Sequence, residues 1–188
     1  MSWLLKEEEF KKQAKTIDKS AKLYTKDNWF CRFMAWFLFI ISAGQFKRER
    51  FLEDFATTIG NLVFIPKEWS EWSCKTTLIH ECRHIRQFRY MGLGIHPMVG
   101  LPIAIIVYFL LLFPVLLSFG RLLMEYDADM FECGELLKES SDNCDFVSIM
   151  MTNRADSLSS KDYIWAVPNF ISKSLYGHGK KVLLKDFV

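Results

Sequence analysis

The sequence predicts a mainly α-helical single domain, residues 1–188, with a small β element: an α+β fold built around two metal-bearing helices. Three observations predict it. Apolar residues recur at steps of three and four over about residues 7–26, the period of a helix with one buried face. Only residues 57–65 read clearly as extended. Between two helical segments, around residues 73–91 and 121–138, lies an uncharged run too long for an ordinary core helix, from Tyr90 to Gly120.

The first element expected is an amphipathic helix over about residues 7–26. Phe10, Ala14, Ile17, Ala21 and Tyr24 alternate steps of four and three, with Lys and Glu between them. Residues 33–46, FMAWFLFIISAGQF, lack charge but number fewer than the roughly 20 needed to cross a bilayer. They read as a buried helix or one that dips into a membrane interface, with Arg32, Lys47, Arg48 and Arg50 flanking them. In residues 57–65, β-formers surround Gly60-Asn61, which marks a tight turn or a bulge, and Pro66 ends the run. A helix over 73–91 follows, with Ser70 or Ser73 as its cap and Gly92 in the left-handed position at its end. Lys75, Arg83 and Arg86 are expected on its solvated side. From Ser140 the chain reads as a mixed tail: a polar loop, aromatic residues around Tyr163-Ile164-Trp165, and a solvated cluster of Lys173, Lys180, Lys181 and Lys185.

The chain has 188 residues, a formal net charge of +2 and 51% hydrophobic residues, which excludes disorder and gives no broad footprint for nucleic acid. Five cysteines, at 31, 74, 82, 133 and 144, form no C-x-x-C and leave one over, which argues against a secreted disulfide scaffold. The opening residues, MSWLLKEEEFKKQAK, have no apolar core or cleavage site of a signal peptide. The expected location is cytoplasmic, with or without membrane association, and not secreted.

The chemistry is concentrated in His80-Glu81-Cys82-Arg83-His84, an H-E-x-x-H pattern inside the predicted helix. Positions four apart share a helix face, so His80 and His84 can bind one zinc ion, and Glu81 can reach a water on that metal. Zinc lowers the pKa of the water, Glu81 takes its proton, and the same carboxyl passes it to the leaving amine. Cys82 points away from the histidines as a packed thiol. A hydrolytic zinc site needs a third protein ligand. Position 90 is tyrosine and only His96 and His178 remain, so a carboxylate from the second helix is the better candidate. Glu125 and Asp129 share one face. Glu125 would bind the metal; Asp129 would accept a hydrogen bond from the other nitrogen of His80 or His84. Tyr90, Arg121, Tyr126, Tyr163 and His178 are candidate donors to the oxyanion. His96, before Pro97, reads as a loop residue.

One zinc site forbids a single crossing by residues 97–119. A bilayer core is about 30 Å thick, whereas zinc ligands converge within about 2 Å of the ion. The run must fold back as an apolar helical hairpin. Pro102 would open its first arm, ending near Leu112, and Pro114 its second. The hairpin either packs inside the protein or dips into one leaflet.

These residues resemble the gluzincin metallopeptidases, and within them the CaaX prenyl protease/HtpX-like group; small soluble gluzincins share the same two-helix core. The matching residues are His80, Glu81, His84, Glu125, Ala128 and Asp129, within a zincin core of about residues 57–138. The resemblance implies a zinc peptidase holding one ion through His80, His84 and Glu125, with Glu81 as base. It also implies an extended peptide or protein substrate pairing with the strand around Leu62–Ile65. The alternative is a catalytically inactive, membrane-associated binding or scaffold protein that retains the metallopeptidase core.

Overall fold

The computed structural model describes residues 3–41, 44, 47–109, 114–159 and 169–185. They form a mainly helical α+β structure, with eight α-helices and one three-stranded sheet among the described residues. The chain divides into two compact units, Met1–Leu101 and Pro102–Val188.

The first unit opens with α1 (Trp3–Ile17), which ends well before the expected residue 26. Asp18 stops it: its Oδ1 accepts from both the backbone N–H and the hydroxyl of Ser20, at 2.9 and 2.7 Å, in a tight local turn. The chain then runs extended as β1 (Lys22–Thr25), where Leu23 points inward and its neighbours outward. Ala21 and Tyr24 thus fit the helical period by coincidence; only Phe10, Ala14 and Ile17 belong to the helix.

The run at 57–65 is a hairpin, β2 (Thr57–Ile59) and β3 (Leu62–Ile65), with Gly60 at φ +62° in its turn. The left-handed backbone favours glycine there, and a Cβ would also meet Met98 Sδ at 2.1 Å, so the Met98 side chain would have to move aside. The strand order is β1-β3-β2, with β1 parallel and β2 antiparallel to β3. Leu62–Ile65 is therefore the central strand, hydrogen-bonded on both sides, and cannot accept a substrate strand. The sheet's edges are β1 and β2.

Alternation along β3 divides the core. Val63 and Ile65 pack with Phe10, Ala14, Leu23, Leu78, Cys82 and Ile85, joining the sheet to α1 and to α4 (Glu71–Met91). Phe64 points to the other face, toward Cys31 and Ala35 of α2 (Trp29–Ile41) and Phe51 of α3 (Arg48–Glu53). Helix α2 is buried on that side only. Trp29, Phe33, Trp36, Phe37 and Ile40 are exposed, contrary to a fully buried helix.

Helix α4 begins where expected. Ser70 caps it, its hydroxyl accepting from the Ser73 N–H at 3.2 Å. Its far end differs: Gly92 has φ −87°, and the left-handed residues are Leu93 and Gly94. Nor is its basic side simply solvated. Arg86 donates to the Ile17 carbonyl at 2.6 Å, and Arg89 donates to Asp18 Oδ1 and Ser20 Oγ, both at 2.8 Å. After α4 the backbone turns back so closely that a Cβ on Gly100 would stand 1.7 Å from the Phe88 carbonyl oxygen. Helix α5 (Pro97–Phe109) starts five residues before Pro102, which lies inside it. Pro97 takes the first-turn role, and the exposed His96 accepts the Met98 N–H through Nδ1 at 3.2 Å.

The second unit contains α6 (Pro114–Glu139), opened by Pro114 as expected; the turn expected before it lies partly in residues 110–113, outside the described residues. The mixed tail is instead two helices, α7 (Cys144–Ser159) and α8 (Asn169–Leu184), after a single 3-10 turn at Ser141–Asn143. Val147, Met151, Ala155 and Leu158 of α7 pack with Leu122, Cys133, Leu136 and Leu137 of α6 and Tyr176 of α8. Lys173, Lys180 and Lys181 thus sit on a folded helix, and Lys173 pairs with Asp156 at 3.2 Å. Tyr163-Ile164-Trp165 lies outside the described residues. Among the described residues, no helix is long and apolar enough to cross a membrane.

The Asp18–Arg89 contact joins the α1–β1 turn to α4, and it sets a pH dependence. Burial raises the Asp18 carboxyl pKa, but hydrogen bonds from Arg89 and Ser20 outweigh it and leave the pKa below the ordinary carboxylate value of 3.8. Its stabilisation is therefore present above that value and lost as pH falls through the lower, folded-state one. Asp18→Asn should cost about 1–3 kcal/mol at neutral pH, the worth of hydrogen bonds to a charged group. In urea unfolding the difference from wild type should shrink as pH falls below 3.8.

Candidate metal centre

His80 and His84 lie on one face of α4, 4% and 8% exposed. Their ring centroids are 4.8 Å apart with planes at 80°, and the two Nε2 atoms approach to 3.1 Å. The other nitrogen of His84, Nδ1, lies 2.8 Å from Gln87 Oε1. An amide oxygen only accepts, so Nδ1 carries the proton and Nε2 of His84 presents a lone pair toward His80. Two nitrogens on one tetrahedral zinc, each at about 2.0–2.1 Å, would be about 3.3–3.4 Å apart. The observed separation is close to that figure. The donor chemistry and spacing thus fit a shared divalent ion.

No sequence motif marks Gln87 as part of this site; it lies three residues after His84, where a helix places neighbours. It occupies the position on His84 for which Asp129 was one candidate.

Glu81 is 7% exposed, and its Oε2 accepts from the Thr58 hydroxyl at 2.6 Å. Strand β2, at the sheet edge, thereby fixes the carboxylate of the expected base. Lys26 is buried nearby in sequence-distant packing, its ammonium over the Phe51 ring at 3.9 Å and donating to the Phe51 carbonyl at 2.5 Å. Burial lowers its pKa to about 8, and the charge of Glu81 works against that fall. Cys82 faces the core as expected, 3.9 Å from the Ala14 carbonyl, and burial pushes its thiol up to about 12. It is a packing group, not a thiolate ligand.

In the second unit, α6 carries Glu125, Asp129 and Glu132 at steps of four and three, on one face. Arg121 Nε lies 3.8 Å from Glu125 Oε1. Asp129 is 1% exposed; its Oδ2 accepts the Tyr176 hydroxyl at 2.6 Å, and its Oδ1 is 3.4 Å from Arg154 Nε. Glu132, equally buried, is 3.8 Å from Arg154 Nη2. Burial raises the Tyr176 phenol pKa, and the Asp129 carboxylate adds to the rise, so Tyr176 stays a hydrogen-bond donor. Glu132 extends the acidic stripe by one turn, and helical spacing alone could have identified it. Arg154 and Tyr176 come from α7 and α8, and no short motif connects them to α6.

Among the candidate oxyanion donors, Tyr90 and His178 are exposed, Tyr163 lies outside the described residues, and Tyr126 packs edge-on against Tyr176 at 5.3 Å. Arg121 is held beside Glu125. His80, Glu81 and His84 belong to the first unit; Glu125 and Asp129 belong to the second.

Tyr176→Phe should leave Asp129 buried with one hydrogen bond fewer. The expected loss is about 1–3 kcal/mol in chemical denaturation. Tyr126→Phe, which keeps the ring contact, should change stability by less than that.

No family model, curated protein or solved structure matches the chain.

Proposed function

We propose that the chain is a zinc-dependent peptidase of the gluzincin type, with His80, His84 and Glu125 as metal ligands and Glu81 as general base. The observation that carries the reading is the imidazole pair: two buried Nε2 atoms 3.1 Å apart, one with its tautomer set by Gln87. A helix can present two histidines for many reasons. Here the two ring nitrogens meet inside the protein at hydrogen-bond distance, a separation that also suits two ligands of one zinc ion, and this supports the reading. The proposal takes the zincin core to span about residues 57–138, with α5 and α6 as the arms of the apolar hairpin. Its substrates are peptides or proteins, its location is cytoplasmic with or without membrane association, and it has no nucleic-acid partner.

Zinc, when bound, supplies the Lewis acid that polarises a peptide carbonyl and acidifies a water. The chain's own residues do the rest. Glu81 receives the water proton at a carboxylate held by the Thr58 hydroxyl, then delivers it to the departing amine. Thr58 donates to one oxygen only, which leaves the other oxygen of Glu81 for the proton. Gln87 keeps the His84 ring from rotating. Asp129 acts by positioning: Tyr176 and Arg154 hold its carboxylate on the same helix face as Glu125.

Purified protein should contain about one zinc per chain by elemental analysis. Glu81→Gln should retain the metal and lose about 10²–10⁴-fold in peptide hydrolysis, the range for removing a general base. Metal-free protein with an intact fold would overturn the reading. Zinc without turnover, and no difference between wild type and Glu81→Gln, would favour the inactive scaffold instead.

Gln87→Leu should weaken zinc binding about 10–100-fold in competition with a chromophoric chelator, because the tautomer and ring angle of His84 are then no longer set. Unchanged affinity would remove Gln87 from the site.

A further inference from the structure

Helix α2 is apolar on both faces. Phe30, Cys31, Met34, Ala35 and Leu38 pack toward α3 and Phe64. Opposite them, Trp29, Phe33, Trp36, Phe37 and Ile40 lie at steps of four and three, between 44% and 78% exposed. A surface helix normally carries its charges there. This one carries a single charged residue, Arg32. The outer rings are already assembled: Phe33 lies 6.2 Å from Trp36 and 6.4 Å from Phe37, centroid to centroid. A contiguous aromatic surface of this kind is costly to leave in water and marks an interaction site.

The charges around it indicate what covers it. Arg32, Lys47, Arg48 and Arg50 flank its apolar length, and the acids of this region, Asp27, Glu49, Glu53 and Asp54, all lie outside the helix. Arg32 stands near one end, partnered by Asp27 at 2.8 Å. At the other end the Arg48 guanidinium lies over the Phe39 ring at 5.6 Å, next to the exposed Lys47, and Arg50 beyond them is partnered by Asp54 at 3.5 Å. Tryptophan and phenylalanine beside a cationic rim match the boundary between acyl chains and anionic headgroups, where rings with polar edges and long basic side chains are each satisfied. At 13 residues the helix is about 20 Å long, too short to span a bilayer core of about 30 Å but suited to lying along its surface.

We infer that α2 is a membrane-docking helix, which lays the Trp29–Phe33–Trp36–Phe37–Ile40 face on an anionic phospholipid surface with Arg48, Lys47 and Arg50 against the headgroups. The inference does not depend on zinc or on peptidase activity.

The test is cosedimentation of the full chain with phosphatidylcholine vesicles, with and without about one-third phosphatidylglycerol. Binding should be at least about tenfold tighter to the anionic vesicles. It should fall about tenfold or more in Phe33→Ser/Trp36→Ser, whose helical circular dichroism should be retained because both side chains are already exposed. Arg48→Glu/Arg50→Glu should abolish the preference for anionic lipid. As a second measurement that leaves packing intact, Trp36→Phe should reduce quenching of tryptophan emission by bromine-labelled lipid. Several results would overturn the inference: no vesicle binding, equal binding by wild type and Phe33→Ser/Trp36→Ser, or quenching unchanged in Trp36→Phe. So would concentration-dependent self-association that the same substitutions remove without any lipid binding, which would make the occupant a second copy of the chain.

Discussion

Two imidazoles one helical turn apart, sealed from solvent and meeting nitrogen to nitrogen at 3.1 Å, are the constraint on which the functional account depends. Burial of polar rings is unfavourable unless their nitrogens are satisfied. Here one nitrogen is satisfied by Gln87 from the same helix, and that bond decides the direction of the other lone pair. A difference of one residue in spacing would rotate one ring by about 100° around the helix and separate the pair. The chemistry proposed for Glu81 depends on the same geometry, because its carboxylate is useful only when a metal-activated water lies within its reach.

The first unit is organised so that α4 cannot shift. Its start is capped by Ser70, its middle packs against β3 and α1 through Leu78, Cys82 and Ile85, and its end is tied by Arg86 and Arg89 to the α1–β1 turn. Catalytic groups are most exact when carried on such rigid elements. The sheet contributes twice. Its central strand supplies the apolar seat for α4, and its edge strand β2 contributes the Thr58 hydroxyl that holds Glu81. In the second unit, the packing of α7 and α8 on α6 brings Arg154 and Tyr176 to Asp129. A buried carboxylate without such partners is costly.

What the sequence made legible follows a physical division. Local signals were readable: the Ser70 cap, the Gly60 turn, Pro114 at the start of α6, and the one-face placement of His80 and His84 depend on neighbours within one helical turn. Signals that depend on tertiary partners were not. Ala21 and Tyr24 continue the period of α1, and only the Asp18 turn and the pairing of β1 with β3 make them a strand. Leu62–Ile65 looks like an edge until β1, some 40 residues earlier, is placed beside it. The apolar character of α2 was visible, but not that its outer half stays exposed. The acidic stripe on α6 was read as far as Asp129 and stopped one turn short of Glu132. The α7 pattern is hidden behind the polar residues at 140–145, of which 141–143 form a brief 3-10 turn while Cys144 and Asp145 already open the helix.

X-ray absorption at the zinc edge of the metal-loaded chain tests the central claim most directly. Sharing of one ion by His80 and His84 predicts a first shell of nitrogen and oxygen only, at about 2.0–2.1 Å, with outer-shell scattering from two imidazoles that falls to one in His84→Ala. Sulfur at about 2.3 Å would make a cysteine the ligand and contradict the account, as would a metal shell with no imidazole scattering.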